Sequence, residues 1–417
     1  MSLICKGKQI GKSSNISGML FILRRLEEID NLKEGDLVFF GNELGQIDTF
    51  YIAHKCIERK VAGIIRLGGG LNDHGSIVAK ETGVNYLKIE KNLLEFENKI
   101  ISVCDDSVFQ GDKVLENTSK KPEDYSFPDC SIKVKLNLSF IESLKESPNI
   151  IDHTDGVGFS RYEFVLVQIL EGYHPTEYIK KFSEQRLVDK IKDLIEPVIK
   201  ELNSQNKEFW IRSDDFTSND LFSMIGGSDY EDTELVTSSG FRGIRRSITN
   251  PEIVSPQFEA IGQLLNSGYS NIRIFPPMTN SIEEFLKWKS IGKSHGIGDS
   301  SFGLMVETPR SAFMIDEFLD EINFVVFGTN DLTQFLLATD RNNSRLSNIF
   351  NENDNFVKKT ICDVISKCKV KGIETYIGGN AATNLDFIKD LIKVGLSGVS
   401  VIPDKSIISK IKCEFKY

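Results

Sequence analysis

Long apolar runs are missing from this 417-residue chain. Nowhere do about 18 apolar residues follow one another, so no membrane-spanning helix is expected. The opening MSLICKGKQIGKSSNISGML holds no apolar core of signal-peptide length. Cysteine is sparse and scattered: Cys5, Cys56, Cys104, Cys130, Cys362, Cys368 and Cys413, an odd number with no CxxC. That usage predicts free thiols in a reducing cytoplasm and argues against a disulfide framework or a thiolate zinc site. Positive charge is also short. Fifty Lys+Arg against 60 Asp+Glu leave −10, which argues against a nucleic-acid or anionic-membrane partner yet permits a local anion site. Finally, no GxxxxGK[ST] loop occurs, so a P-loop nucleotide site is excluded.

What is present is globular: 40% hydrophobic and 26% charged residues. The length suits about two to four domains at roughly 100–200 residues each. The stretch NTSKKPEDYSFPDCS (117–131) is rich in Ser, Pro, Lys and acids and reads as an interdomain linker. The expected division is therefore a first α/β domain at 1–117, a linker at 118–131 and a second domain at 132–417. The first domain shows strand-like runs at 36–40, 63–66 and 99–103. In the second, short apolar runs at 132–138, 156–159, 208–212, 271–275, 303–307, 323–327, 374–377 and 398–402 alternate with helical patterns at 176–201, 255–266, 282–292, 311–320 and 355–371. Apolar strands alternating with crossover helices predict an α/β fold. Eight such units suit a closed (β/α)8 barrel of the TIM type. A doubly wound open sheet is the competing architecture.

A barrel places its functional residues at the C-terminal ends of strands. Glu307 follows GLMV, and Asn330 and Asp331 follow FVVFGT. Carboxylates on neighbouring strand ends can share one Mg2+ or Mn2+ and leave positions for substrate oxygens. Alternatively each caps the helix that follows. Arg161, Arg212, Arg242 and Arg341 fall at or just after strand ends or in the loop GFRG. Converging guanidiniums bind phosphate or carboxylate, although any single one could be a surface ion pair. Together they imply a small, strongly anionic substrate. In the first domain, His74 lies in GGGLNDHGSIVAKETG after the strand VAGIIRL. A histidine at a helix N-terminus faces a setting that favours an anion, which makes His74 a candidate phosphoryl carrier, with a plain surface or capping residue as the alternative.

These motifs resemble the phosphoenolpyruvate-utilising enzymes, and among them most closely the phosphoenolpyruvate synthases (pyruvate, water dikinases). The resemblance spans nearly the whole chain but only two of that family's three domains. GDLVFF and VAGIIRLGGGLNDHGSIVAKETGV are similar to the swivelling phosphohistidine domain, with His74 in the place of the phosphorylated histidine. Asn72 stands where Thr is usual, Lys80 where Arg is usual and Asn85 where Pro is usual. GVGFSRYEF, WIRSDDFTSN and GFRGIRRS are similar to barrel motifs that would bring Arg161, Arg212 and Arg242 to the substrate phosphate. MVETP and FGTNDLTQFLLATDR resemble the metal strands. They imply Glu307 and Asp331 as Mg2+ ligands beside substrate, with Thr329, Asn330 and Arg341 on phosphoenolpyruvate or an analogue. The family's catalytic cysteine, which protonates the enolate of pyruvate, has no counterpart. TYIGGNAATN puts Gly378 in its place, followed by Gly379 and Asn380. Gly378 and Asn380 are still expected to line the substrate. The family's ATP-grasp domain has no match here either, so a separate nucleotide-binding protein is an expected partner, together with a homodimer through the barrel. The leading reading is a phosphotransferase acting through His74. The alternative is a weakened anion-binding or regulatory homologue.

Overall fold

The computed structural model describes residues 2–10, 15–41, 46–68, 76, 79, 82–112, 125–139, 141, 143–146, 149–341, 343–346 and 348–417. His74, Asn72, Asp73 and Lys80 lie outside them, as do residues 113–124 of the linker region. The chain forms two compact units, Met1–Asp124 with Asn342–Ser344, and Tyr125–Arg341 with Arg345–Tyr417. Residues 125–131, read as linker from composition, are part of the second unit. Ser131 N–H donates to the Phe415 carbonyl at 2.8 Å, and the Phe127 ring stacks on His153 at 4.0 Å.

Among the described residues the first unit contains seven strands: β1 (Leu3–Gln9), β2 (Ile16–Ile22), β3 (Leu37–Phe40), β4 (Gly63–Leu67), β5 (Tyr86–Ile89), β6 (Ile100–Cys104) and β7 (Ser107–Gln110). They close into a barrel in the order β1-β5-β4-β3-β2-β6-β7. Strands β2 to β5 run parallel, and β1, β6 and β7 pair antiparallel to their neighbours. Leu20, Leu37, Phe39, Ile65, Leu87, Ile101 and Val108 fill its centre. The helix Gln46–Glu58 packs beside β4.

In the second unit the eight expected strands all form: β8 (Lys133–Leu138), β9 (Gly156–Arg161), β10 (Glu208–Arg212), β11 (Ile272–Phe275), β12 (Leu304–Val306), β13 (Phe324–Gly328), β14 (Glu374–Gly378) and β15 (Gly398–Val401). Every pair is parallel, in the order β11-β10-β9-β8-β15-β14-β13-β12. A parallel bridge between Ile274 and Phe302, with Gly303 N–H on the Ile274 carbonyl at 2.9 Å, joins the two ends. This is a TIM-type (β/α)8 barrel, not an open sheet. The helical run expected at 176–201 is two helices, Pro175–Phe182 and Glu184–Ser204. Ser183 divides them with φ 117, and its hydroxyl caps the second. Among the described residues no helix is long and apolar enough to cross a membrane.

Strand interiors fill the barrel with Phe159, Trp210, Phe275, Met305, Phe324, Val326 and Tyr376. Among them lies one charge. Lys135 of β8 is 2% exposed, and its Nζ lies 3.4 Å from the Trp210 ring centre, 4.7 Å from that of Tyr376 and 3.1 Å from Glu208 Oε2. Glu208 opens β10, so the cation points to the N-terminal end of the barrel, away from the C-terminal strand ends. Burial pulls this lysine down to about 8, partly opposed by Glu208. A depressed lysine contributes fully above its ordinary value near 10.5 and loses that contribution as pH falls through about 8. Lys135→Met leaves Glu208 with Arg273 at 3.0 Å and the Trp210 indole N–H at 2.8 Å. At pH 7 the substitution is expected to be neutral or to stabilise by about 1–4 kcal/mol. Denaturant titration should show that advantage shrinking from pH 8 to 10.5. A loss of stability at pH 7 would contradict the assignment of this pair as a net cost.

Candidate active site

All barrel-borne candidates come together at the C-terminal end of the strands. Arg161 and Arg212 end β9 and β10 as direct register partners. Glu307 follows β12 and Thr329 follows β13, while Gly378 ends β14 in register with Gly328. The helix Thr329–Leu336 begins straight from the strand end, which puts Asn330 and Asp331 in its first turn beside Glu307.

Three of the four guanidiniums, those of Arg212, Arg242 and Arg341, are held by buried acids. Arg212 pairs with Glu163 and, at 3.1 Å, with Asp215. Arg242 donates from Nε to Asp215 Oδ1 at 2.8 Å and from a terminal nitrogen to Oδ2, a bidentate clamp. Its other terminal nitrogen lies 3.9 Å from Asp331 Oδ1. Arg341 reaches Asp331 Oδ2 at 3.3 Å. Arg161 donates to Ser139 Oγ at 2.7 Å and Asn137 Oδ1 at 3.3 Å. The Arg161 and Arg212 guanidiniums lie 4.6 and 5.3 Å from the centre of the Phe159 ring. So the arginines are not loose surface charges. Asp215 works against burial, yet Arg242 and Arg212 hold its carboxyl below the ordinary carboxylate range.

Glu307 is the opposite case. It is fully buried, and Met278 N–H donates to its Oε1 at 2.6 Å. Burial, then the charges of Asp331 and Asp215, push it up to about 8 despite Arg212 and Arg242. Its Oε2 and the Asp331 Oδ1 are both buried without a hydrogen-bond partner. Two repelling, desolvated carboxylates with orphaned oxygens suit a hard divalent cation. Among the described residues no group of three or more His, Cys, Asp or Glu assembles. The other positions on such an ion would fall to water and substrate oxygens.

Three contributors escaped the sequence reading. Asp215 is one, although its adjacency to Arg212 in IRSDDF was a visible signal. The Met278 N–H is another. It sits at φ 58 and its bond to Glu307 crosses 29 residues. The third is Glu352, which accepts from Thr329 Oγ1 at 2.6 Å, while that hydroxyl also lies 3.2 Å from the Gly378 carbonyl. Asn330 Oδ1 is buried without a hydrogen-bond partner. Asn380 opens the short 3-10 turn Asn380–Thr383. His74 falls outside the described residues.

With fold and site in hand, the comparisons agree on a class. Residues 116–416 match the family described as PEP-utilising enzyme, PEP-binding domain, and the chain belongs to that family. Relatives it matches include proteins named phosphoenolpyruvate synthase or probable phosphoenolpyruvate synthase. The Pyrococcus furiosus enzyme is 31% identical over 418 residues, covering 95% of this chain and 49% of the relative. A probable phosphoenolpyruvate synthase of Archaeoglobus fulgidus is 31% identical over 408 residues, covering 95% of this chain and 52% of the relative. The Pseudomonas aeruginosa synthase is 24% identical, covering 97% and 53%. The chain spans about half the length of the curated relatives it matches.

Proposed function

We propose that this chain is a Mg2+-dependent phosphotransferase that moves a phosphoryl group by way of His74 between a phospho-donor and a small anionic acceptor at the barrel mouth. The observation that carries the reading is the buried Glu307/Asp331 pair set among Arg212, Arg242 and Arg341 at one end of the barrel. Glu307 and Asp331 would hold the Mg2+, or Mn2+ in its stead, which when bound would neutralise charge on substrate oxygens. The chain's own groups do the rest. Arg161, Arg212, Arg242 and Arg341 bind phosphate and carboxylate oxygens, and Asp215 fixes the orientation of two of them. Thr329, Asn330, Gly378 and Asn380 line the substrate. Burial excludes water, which strengthens each of these interactions. The first unit, with His74 as carrier, delivers the phosphoryl group to the barrel. The donor is phosphoenolpyruvate itself or an ATP-grasp nucleotide-binding unit outside these residues, whether or not on a separate protein. The protein acts in the cytoplasm, in keeping with its seven free thiols, as a homodimer through the barrel.

The test is incubation with radiolabelled phosphoenolpyruvate and Mg2+, followed by an acid-lability assay for phosphohistidine. Label is expected on the wild type and absent from His74→Ala. An unlabelled wild type would remove phosphoenolpyruvate as donor, and the same assay with ATP and an ATP-grasp partner then decides the remaining route.

One observation favours a second reading, an anion-binding homologue with weakened turnover: Gly378 supplies no thiol. A missing general acid is worth about 10²–10⁴ in rate, so carbon protonation is impaired while anion binding is not. This favours acceptors that need no new C–H bond, such as a hydroxyl or carboxylate. Gly378→Cys discriminates. The new Cβ would find its nearest neighbours at 3.6 and 3.8 Å, ordinary contact distances. The variant is expected to raise pyruvate formation from phosphoenolpyruvate by about 10²–10⁴, read by a coupled lactate dehydrogenase assay. An unchanged rate would favour the binding role.

A further inference from the structure

We infer that the peptide unit joining Pro277 to Met278 is a positioning element for Glu307. It holds one carboxylate oxygen and leaves the other alone to face a cation, which favours a small ion such as Mg2+ over Ca2+. This rests on the reading above that Glu307 and Asp331 hold a divalent cation, and it adds what orients Glu307 and which ion that orientation selects.

Nine non-glycine residues among those described have positive φ, and eight of them are exposed. The ninth, Met278 at φ 58, is buried. The left-handed region is narrow and costly for a residue with a side chain, whereas glycine enters it freely. Such strain persists where the surroundings over-determine the backbone. Here they do so through one peptide unit. A trans peptide is planar, and its C=O and N–H point in opposite directions. The Pro277 carbonyl accepts the Ile244 N–H at 3.1 Å, and the Met278 N–H donates to Glu307 Oε1 at 2.6 Å. Both ends of one plane are therefore fixed. Gly243 presses against its carbonyl side, where a Cβ would lie 2.9 Å from the Pro277 oxygen and 3.1 Å from Met278 Cβ. One residue further on, the Thr279 carbonyl accepts from Thr308 Oγ1 at 2.7 Å, which ties the segment to the residue after Glu307.

The two oxygens of Glu307 consequently face different neighbours. Oε1 is turned to Met278. Oε2 is turned to β13, since a Cβ at Gly328 would lie 2.6 Å from it and a side chain there would displace the carboxylate. The chain runs from Gly328 straight into the helix that carries Asp331 in its first turn. Oε2 of Glu307 and Oδ1 of Asp331 are both buried without a hydrogen-bond partner. A cation held between them takes one oxygen from each. Ca2+ gathers about six to eight oxygens and gains from carboxylates that offer both, whereas Mg2+ is held by one or two carboxylates with water and substrate oxygens completing its shell. Turning Glu307 to present both oxygens would break its bond to Met278. That cost falls on Ca2+ and spares Mg2+.

Calorimetric titration of the full chain with MgCl2 and with CaCl2 tests this. The wild type is expected to bind Mg2+ more tightly. Met278→Gly keeps the N–H but frees the backbone that aims it. Met278→Ala loses the same thioether and keeps the narrow left-handed well. The pair therefore isolates the backbone. The glycine variant is expected to show a Mg2+ to Ca2+ affinity ratio about 10-fold below that of the alanine variant, the lower range for disturbing a group that holds a metal ligand. Denaturant titration is expected to find the glycine protein the more stable of the two, because positive φ strains only the alanine. Gly243→Ala pushes on the same peptide from its other side. It is the parallel variant should Met278→Gly fail to fold, checked by circular dichroism, and it is expected to lower the ratio relative to the wild type. A wild type that prefers Ca2+, or a ratio unmoved by these changes, overturns the inference while leaving Glu307 and Asp331 as cation ligands. An alanine variant more stable than the glycine one overturns it as well, since the peptide would then be unconstrained. Binding of neither ion to the wild type removes the proposed cation site and this inference with it.

Discussion

Alanine at Asp215 is expected to lower unfolding free energy by about 3–5 kcal/mol and to abolish anion binding at the barrel mouth. The carboxylate is buried and holds Arg242 through both oxygens and Arg212 through one. Without it Arg212 retains Glu163. Arg242 keeps only a 3.4 Å contact to the Ser238 carbonyl and the 3.9 Å approach to Asp331. A buried guanidinium without its clamp costs more than the pair contributes, because desolvation is no longer offset. Its nearest carboxylate is then Asp331, so it would compete with any cation there. Asp215→Asn keeps the shape and part of the hydrogen bonding. It should cost less, about 1–3 kcal/mol. Urea titration of the three proteins measures the order, and a cost below about 1 kcal/mol for alanine would mean that the clamp is solvated and the ion pairs are weak. The pH dependence has a definite sign. Asp215 is held below its ordinary value of 3.8, so its contribution is complete above that pH and is lost as pH falls below it. The stability gap between wild type and Asp215→Ala should therefore narrow in acid and be constant near neutrality.

The barrel was legible because its strands hold short apolar runs buried on both faces, such as FVVFG in β13 and the FWI centre of β10. Helix boundaries were less so. The break at Ser183 depends on a positive φ that an ordinary serine does not advertise. In the first unit β1, β2, β5 and β7 were missed. LICKGKQ carries two lysines, a glycine and a glutamine and is half exposed, so the alternation that marks a strand is blurred. In the site, residues that end a strand could be read off, since each follows its apolar run directly. What orients them could not. Asp215 meets Arg242 across 27 residues, and Met278 meets Glu307 across 29. Those separations are set by barrel closure, and no local pattern encodes them. The need for glycine at 328 is of the same kind, because it comes from a carboxylate on the neighbouring strand.

Removing Glu307 and Asp331 together, as alanines, is expected to eliminate divalent-cation-dependent ligand binding and to lower turnover to the level seen without Mg2+. The argument rests on what the two carboxylates cost where they are. Glu307 has no solvent, one backbone N–H and two like charges nearby. Evicting it should not harm the fold. Above about pH 8, where Glu307 is ionised, the metal-free double variant is expected to be as stable as the wild type or more stable, because buried like charges are a cost when nothing neutralises them. Stability and binding should thus move in opposite directions, which separates a ligand role from a structural one. Glu307 also predicts a pH signature. A carboxyl raised to about 8 is protonated in the metal-free protein at pH 7, and a cation requires the carboxylate. Mg2+ binding is therefore expected to release close to one proton at pH 7, with apparent affinity rising up to tenfold per pH unit and levelling above about 8. In the metal-free protein the sign is reversed for folding: the raised group stabilises at low pH, and that contribution disappears as pH climbs towards 8. Calorimetry in buffers of different ionisation enthalpy counts the proton directly. Ligand binding that keeps its Mg2+ dependence in the double variant would place the cation elsewhere. Proton release that persists in Glu307→Gln would show that another group supplies it.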